Sequence, residues 1–405
     1  MQSSAEDVRE SARKLVPLLR EQAELTEALL RVSPVAMKAL VESGLLRLLQ
    51  PSAYGGKEEN PALLIEVLQT LGRGCLSTAW VGFRFASHVW MLTMWPVSVQ
   101  DAIWRPAPDV LIGSCFADAA ASAVRLPDAS GYCFSGVWEF VTGIDDAAYV
   151  MLGARSEPGC DGKCRTLIGI VPRASLEVID GPGMLGLCGT GNRSVGSRGV
   201  VVRDDWVIEA SSLSDCAAPG LMCASAPVFR MPVTGLLPHL ASAVLLGNAQ
   251  GCYDEFITGA RARRTTHSRL PPDQFVAQQM HVAEAQALII SGTLLIQGDA
   301  EQAAVIAKRG EPAPAQLQGV WRMHAAHAAR LATRAVDLLF AAYGGGGNFL
   351  ANNAQRRFRD THAAISHELL AWEAVAAEFG SQALSGCTRA APDSGRPAGG
   401  TSQRQ

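Results

Sequence analysis

Acid–base side chains occur as neighbours near the end of the chain, and another histidine lies in an apolar segment far upstream. His367 and Glu368 are consecutive, while His88 follows an apolar run and precedes Val-Trp. Imidazole exchanges a proton near neutral pH and a carboxylate can act as a base, so each is a candidate for general acid–base catalysis. A lone histidine in an apolar run is more often a hydrogen-bonded core residue, so His88 by itself supports both interpretations.

Two hydroxyl side chains lie where strands are expected to end. Ser114 follows Gly113 in a short β-rich run, and Thr142 precedes Gly143 at the end of another. A hydroxyl can donate and accept hydrogen bonds, which suits it to hold a substrate or the edge of a cofactor. Serine and threonine at such places also satisfy turn or strand backbone groups, so the residue types alone leave both interpretations open.

Spacings typical of metal sites and hydrolases are missing. The ten cysteines include no Cys-x-x-Cys pair, and the closest pair, Cys160 and Cys164, has no second ligand pair nearby. The sequence has no His-Glu-x-x-His, no Gly-x-Ser-x-Gly and no Gly-x-Gly-x-x-Gly after a strand. We therefore expect no metal site, no serine-hydrolase elbow and no NAD(P)H-binding domain.

The overall composition is that of a folded protein with little net charge. The 405 residues include 35 basic and 38 acidic side chains, a net charge of −3, and 48% are hydrophobic. This balance gives no general attraction to nucleic acid or to an anionic membrane. The N-terminus lacks the apolar core of a signal peptide, and no apolar stretch approaches the ~18 residues of a membrane span. We expect a cytoplasmic protein with reduced thiols.

Three successive patterns along the chain indicate the elements that position these side chains. Apolar residues at helical spacing dominate residues 1–109, short β-rich runs fill 110–220, and long Ala-rich helices fill 221–384. No helical pattern separates the strands, which favours a small antiparallel barrel or sandwich over βαβ units. The sequence predicts an α+β protein, mainly α, with an N-terminal helical domain, a central β domain, a C-terminal four-helix bundle and a disordered tail at 385–405.

Individual segments follow from the same patterns. Strands are expected at residues 111–116, 131–140, 148–154, 166–171, 176–179 and 200–208. The four bundle helices are expected at residues 240–262, 272–297, 313–343 and 353–379.

The helix predicted at 353–379 separates the two neighbouring acid–base candidates. Consecutive helical residues point about 100° apart, so at most one of His367 and Glu368 faces a given pocket squarely. His367 shares its face mainly with small residues, which suits close approach of a flat ligand, although a solvated face is the alternative. Glu368 lies nearer Asp360 and Arg357 and is expected to be solvated or ion-paired.

Several short motifs occur in a fixed order. Residues 51–56 read Pro-Ser-Ala-Tyr-Gly-Gly, residues 186–191 read Gly-Leu-Cys-Gly-Thr-Gly, and residues 200–205 read Val-Val-Val-Arg-Asp-Asp. Tyr-Gly-Gly at 343–345 and Arg-Asp at 359–360 follow. Together with the order helix–β–helix, these motifs resemble the acyl-CoA dehydrogenase fold over roughly residues 10–380.

Three other segments are similar to the oxygenase components of two-component flavin-dependent monooxygenases, those resembling 4-hydroxyphenylacetate 3-hydroxylase and the steroid-phenol hydroxylase. They are Arg-Gly-Cys-Leu-Ser-Thr-Ala-Trp at 73–80, Ser-His-Val-Trp with Trp-Pro at 87–96, and Gln-Arg-Arg-Phe-Arg-Asp-Thr-His-Ala with a later His at 355–367. These monooxygenases have a histidine at the position of His367. Many acyl-CoA dehydrogenases have their catalytic glutamate at the position of Glu368, followed by Gly-Thr, where this chain has Leu-Leu.

The resemblance implies an oxygenase that takes diffusible reduced FMN or FAD from a separate NAD(P)H:flavin reductase. With O2 it would form a flavin C4a-hydroperoxide and hydroxylate a phenolic or indolic small molecule. The implied catalytic residues are His88 and Ser114, at a substrate hydroxyl, and His367, near the reactive oxygen. The implied cofactor-binding residues are Ser114, Phe116, Phe140, Thr142, Gly143 and Arg359. A homotetramer is expected from the relatives and from helices that are apolar on more than one face, with a dimer next.

Departures from the family pattern bear on how flavin is held. Cys188 replaces the usual arginine before Gly-Thr-Gly, residues 192–197 resemble a short insertion, and the dehydrogenase Phe-Gly after Arg264 is missing. These departures favour loose binding of a diffusible reduced flavin over tightly held FAD. The alternatives are an acyl-CoA dehydrogenase with Glu368 as its base, an oxygenase of nitrogen or sulfur with the same fold, and a non-catalytic flavin-binding or scaffold protein. The choice between FMN and FAD and the identity of the substrate stay open.

Overall fold

The N-terminal part of the protein is helical. The computed structural model describes residues 4–116, 121–159, 161–181, 183–215, 218–223, 225–266 and 272–385. The first helices are α1 Ala5–Glu21, α2 Ala23–Ala28, α3 Pro34–Glu42, α4 Pro61–Gly72, α5 Leu76–Leu92 and α6 Val97–Trp104. Side chains of Ser4, Ser33 and Asn60 accept hydrogen bonds from the first turns of α1, α3 and α4, so these helices begin at N-cap residues.

Helix α5 lies at the centre of the molecule, and all 17 of its residues are buried. It packs against α4, the bundle helix α8 (Val233–Thr266) and strand β1 (Ile112–Cys115). A helix buried on every side normally carries only apolar side chains, so its polar members need a stated partner or a function. Two of them, Arg84 and His88, are one turn apart and form the centre of the site described below.

Among the described residues, eight strands form the central sheet. They are β1 Ile112–Cys115, β2 Ser122–Arg125, β3 Gly131–Val141, β4 Tyr149–Ser156, β5 Thr166–Pro172, β6 Glu177–Ile179, β7 Arg193–Arg203 and β8 Val207–Glu209. The order is β6-β7-β3-β2-β4-β5-β8, with β1 paired to β4. A second hydrophobic core, including Phe134 and Trp138, lies within this unit. Most pairs are antiparallel, as expected, but β1 and β2 each pair in parallel with β4.

Three details of the strand prediction are wrong. Strand β2 was not expected, because its four residues are too few to show a period. Residues 193–197, expected to be part of an insertion, belong to β7: Arg193 pairs with Val141 and Val195 with Trp138. The last predicted strand is also divided, since a turn at Asp204–Trp206 separates β7 from β8.

Three long helices form most of the C-terminal bundle. They are α8 Val233–Thr266, α9 Pro272–Lys308 and α10 Ala315–Tyr343, preceded by the short helix α7 Ser212–Asp215. Helix α10 packs closely along both α8 and α9. Its contact face is largely alanine, including Ala325, Ala328 and Ala332, so the helix axes can approach closely.

The fourth bundle helix is not continuous, so the helix predicted at 353–379 is wrong. Helix α11 covers Asn353–Ile365, a 3-10 helix covers Glu368–Leu370, and α12 covers Trp372–Ser385. His367 has an extended backbone (φ −68°, ψ 139°), and its side chain accepts a hydrogen bond from the Leu369 N–H. Since His367 is the N-cap of the 3-10 helix, the argument from a shared helix face does not apply to it.

The observed order of elements follows the predicted order of helices, sheet and bundle. We keep the division at residues 109/110 and 220/221 as a proposal. Of the predicted tail at 385–405, residues 386–405 lie outside the described residues, as do Cys160 and residues 267–271. None of the described helices is both long and apolar enough to cross a lipid bilayer.

Candidate active site

The best-defined polar site joins helix α5 to strand β1. His88, which is completely buried, places Nδ1 2.5 Å from the Ile112 carbonyl oxygen and Nε2 2.7 Å from the Ser114 hydroxyl. Because a carbonyl only accepts, Nδ1 carries the proton and Nε2 accepts from the Ser114 O–H. Burial, together with the nearby charge of Arg84, holds the pKa of His88 well below its usual value. The imidazole is therefore neutral and its tautomer is set.

Arg84 completes this arrangement and was missed by the sequence analysis. It lies one helical turn before His88, is only 7% exposed, and donates from Nη2 to the Ser114 oxygen over 2.7 Å. Burial lowers the pKa of its guanidinium to about 10, so it stays charged at neutral pH. A lone arginine four residues before a histidine, inside an apolar helix, was the available signal.

His367 lies in the same electrostatic environment. Its ring packs edge-on against Trp80 of α5, with 5.4 Å between ring centroids. Burial and then the charge of Arg84 lower the pKa of His367 to about 3, so it is neutral at physiological pH. Because Nδ1 accepts from the Leu369 N–H, the ring proton is on Nε2, which is left to donate.

The two acid–base neighbours at 367 and 368 differ sharply in environment. Glu368 is exposed, as expected, while His367 is directed at the buried helix α5. The Glu368 carboxylate acts on Arg84 only at a distance, raising the pKa of the guanidinium less than burial lowers it. The break between α11 and α12, rather than a helix face, separates the two side chains.

Thr142, a predicted cofactor-binding residue, is buried at the end of β3. Its hydroxyl donates to the Asn192 side-chain oxygen over 2.8 Å, so its lone pairs are free to accept. The neighbouring Gly143 has φ +70°, and a Cβ atom there would come within 2.6 Å of the Phe85 ring of α5. Glycine at 143 therefore lets the β3 turn lie directly against α5. Asn192 gave no signal in sequence, because it lies 50 residues away from Thr142.

Phe140 and Phe116 border the same region. Phe140 has φ +60° and is 64% exposed, beside an irregularity in the β3–β7 pairing. A phenylalanine in the left-handed region is rare, and such strain concentrates at functional sites. Phe116 is partly buried and directly follows β1. Phe140 precedes the Thr142 hydroxyl by two residues, so an exposed aromatic ring and a hydrogen-bond acceptor lie at the same end of β3, as a flat ring system with a polar edge would need.

Arg359, also predicted to bind the cofactor, is engaged elsewhere. Its guanidinium donates to Gln355 Oε1, to the Leu185 carbonyl and to the Glu27 carboxylate, at 2.6–2.8 Å. These bonds connect α11 to α2 and to the segment before the 188–190 turn. In this position, Arg359 holds α11 against α2 and against residue 185. Its contact with a cofactor stays a prediction.

Comparisons with known proteins identify the family. Residues 239–372 match the family model described as acyl-CoA dehydrogenase, C-terminal domain. Over 87% of the chain, it is 32% identical to the oxygenase subunit HsaA of a flavin-dependent monooxygenase from Rhodococcus jostii (strain RHA1), covering 92% of that protein. This chain belongs to the oxygenase components of flavin-dependent monooxygenases. The oxygenase also matches, at 27% identity over 91% of each chain, the oxygenase component of the FADH2-dependent resorcinol hydroxylase of Rhizobium sp. (strain MTP-10005).

The fold of this oxygenase matches that of a solved structure. The crystal structure of 3-HSA hydroxylase from Rhodococcus sp. RHA1 superposes with a TM-score of 0.90 at 28% identity, covering 95% of this chain and 98% of the other. The predicted family, fold class, enzyme class and flavin dependence are thereby confirmed. The roles assigned to individual site residues stay predictions. The named relatives are oxygenase components and hydroxylases, which favours a monooxygenase over the alternative of a dehydrogenase with Glu368 as its base.

Proposed function

We propose that this oxygenase uses reduced flavin and O2 to hydroxylate a phenolic small molecule. The observation that carries the proposal is the buried chain Arg84–Ser114–His88, because it presents one oxygen atom with defined hydrogen-bond capacity. The Ser114 oxygen accepts from Arg84 and donates to His88, so one lone pair remains for an incoming O–H. One relative is the oxygenase component of a resorcinol hydroxylase, and resorcinol is a phenol, which agrees with this chemistry.

The substrate hydroxyl would be held at Ser114. Its proton can be accepted by the serine oxygen, while the serine proton already points to His88 Nε2. Loss of the phenolic proton raises the electron density of the ring at the carbons ortho and para to the oxygen, which are the positions open to hydroxylation. His88 and Ser114 therefore orient the ring and provide a path for the proton.

The flavin would lie against the β3 turn. Thr142 would accept a hydrogen bond from a flavin N–H, and Phe116, Phe140 and Gly143 would contact its ring system. When bound, a reduced flavin would supply the two electrons that activate O2, and O2 would be the source of the transferred oxygen atom. His367, with its proton on Nε2, would donate a hydrogen bond or a proton to oxygen at the reacting centre. Its ring packs against Trp80, which would limit the access of water to that proton.

A reconstituted assay tests the proposal. The purified oxygenase would be combined with a generic flavin reductase, NADH, FMN or FAD, and a panel of phenols, indoles and sulfur heterocycles. We expect hydroxylated product from phenols, lost in Ser114→Ala and His88→Ala. His362→Ala is the matched control, because His362 is partly exposed and pairs with Asp337 outside the site. Peroxide alone across the whole panel would contradict the proposal.

We propose that a separate NAD(P)H:flavin reductase supplies the reducing equivalents. We also propose that both proteins work in the cytoplasm, where NAD(P)H is made. The word "oxygenase subunit" in the name of the Rhodococcus relative agrees with such a division of labour. Adding the reductase across a dialysis membrane should still support some product, because the flavin is proposed to diffuse. No product without direct contact would contradict diffusion.

We propose a homotetramer assembled through the bundle. Helix α9 exposes apolar side chains, among them Ile290 (50% exposed) and Leu294 (68% exposed), next to a groove that it forms with α10. Leu294→Glu should dissociate the assembly by placing a charge in its apolar contact. Val124→Glu, on an exposed apolar residue of β2, is the control. Light scattering that finds wild-type monomers at micromolar concentration would contradict the tetramer.

A further inference from the structure

Among the described residues, Arg84 is a buried cation without an anionic partner. Within the part of the chain that the structure describes, its hydrogen bond goes to the neutral Ser114 hydroxyl, and no carboxylate oxygen lies within 4.0 Å of its guanidinium. The acidic groups that act on it at longer range are Cys115 and Glu368. Buried arginines are normally paired, because removing a charge from water is costly.

The contrast with another buried arginine shows how unusual this is. Arg357, also buried, forms a two-pronged ion pair with Glu255, at 2.7 and 3.0 Å, and bonds to Asn248 and to the Arg73 carbonyl. Arg84 has five N–H groups and one hydrogen bond among the described residues. Its unused donors make the region around Ser114 a ready-made anion site.

The neighbouring imidazoles cannot provide that positive charge. His88 already donates from Nδ1 to Ile112, and its Nε2 is an acceptor, so it could donate to an anion only after taking up a proton. The adjacent guanidinium opposes a second positive charge on His88, and equally on His367. An anion at Ser114 would therefore be stabilised by Arg84.

We propose that Arg84 is the counter-ion of the substrate's phenolate, so that the enzyme binds its aromatic substrate as an anion while His88 stays neutral. This inference rests on the proposed function, and it specifies which group balances the charge of the substrate and where the phenolic proton goes. The phenolic O–H bond breaks with its electron pair left on oxygen, the proton passes to bulk solvent, and the phenolate oxygen takes its hydrogen bonds from the N–H groups of Arg84, while the Ser114 O–H stays directed at His88. Acidic phenols are then the favoured substrate class, and O-methylated phenols are excluded.

The test uses 4-nitrophenol, whose anion and neutral form absorb at different wavelengths, and flavin-free protein. Binding would be followed by absorbance, and proton release by calorimetry in buffers of different ionisation enthalpy. We expect wild-type protein to bind the anion at a pH where the free probe is largely neutral, with release of one proton. Arg84→Gln should bind tenfold or more weakly and without the anion spectrum, and Arg84→Lys should restore the spectrum. Arg105→Gln, on an exposed arginine that pairs with Asp101, is the control.

The other outcomes separate this inference from the proposed function. An anion spectrum without proton release would mean that His88 keeps the proton, which overturns the inference. Wild-type binding of the neutral form would also overturn it, while phenol hydroxylation in the reconstituted assay would still stand. Failure of every phenol to bind, together with absence of hydroxylation, would remove the proposed function as well. Circular dichroism would verify that the variants are folded. If they are not, the absorbance spectrum and the proton release of the wild-type protein still test the inference.

Discussion

Replacing Arg84 with methionine should make the protein more stable, which is unusual for a change in a completely buried helix. Burial lowers the pKa of the guanidinium from 12.5 to about 10. At about 1.4 kcal/mol per unit, holding the charge costs about 3 kcal/mol. For a base whose pKa is lowered on folding, this penalty is complete below pH 10 and disappears only above the unfolded value, so it applies fully at neutral pH.

The net gain is smaller, because Arg84→Met also removes the hydrogen bond to Ser114, worth about 1.5–3 kcal/mol for a charged donor. We therefore expect a gain of about 1 kcal/mol in the free energy of unfolding. The matched contrast is Arg357→Met, which removes the ion pair with the half-buried Glu255 and the bonds to Asn248 and to the Arg73 carbonyl, and should cost at least about 1.5–3 kcal/mol. Urea unfolding of both variants measures the difference. A clear loss of stability in Arg84→Met would show that the guanidinium has a stabilising partner and would refute the reasoning.

Three further changes have defined outcomes. His367→Ala should lower the yield of hydroxylated product by ~10²–10⁴-fold, the effect of a lost acid–base group. Glu368→Gln and the control His362→Ala should stay near wild type. Equal effects of His367→Ala and Glu368→Gln would refute the site assignment. Thr142→Val should weaken binding of reduced flavin by about tenfold, measured anaerobically by fluorescence, and Thr142→Ser should not. Burial raises the pKa of Asp360 from 3.8 to about 6, so its stabilising effect is present at low pH and is lost as pH rises through 6. Relative to Asp360→Asn, the wild type should lose about 2 kcal/mol of unfolding free energy between about pH 4 and pH 8, and a constant difference would contradict this.

The sequence by itself determined the features that depend on local pattern. Apolar spacing predicted the N-terminal helical region and the long bundle helices, and short β-rich runs predicted most strands, because helical period and strand propensity are local properties of the chain. Motifs in a fixed order predicted the family and marked His88, Ser114 and Thr142. Residue type and local spacing are sufficient for such features, since each element carries its own pattern.

Tertiary structure decided which side chains act together. The periodic pattern continues through residues 366–371, but the chain breaks there and His367 caps a new turn, so its direction could not be taken from a helical face. Asn192 orients Thr142 from 50 residues away, and Arg84 became part of the site only because β1 brings Ser114 to α5. Burial gives the Arg84 charge its effect, together with the absence of a carboxylate near it among the described residues. Both depend on what the fold packs around Arg84 rather than on its neighbours in sequence.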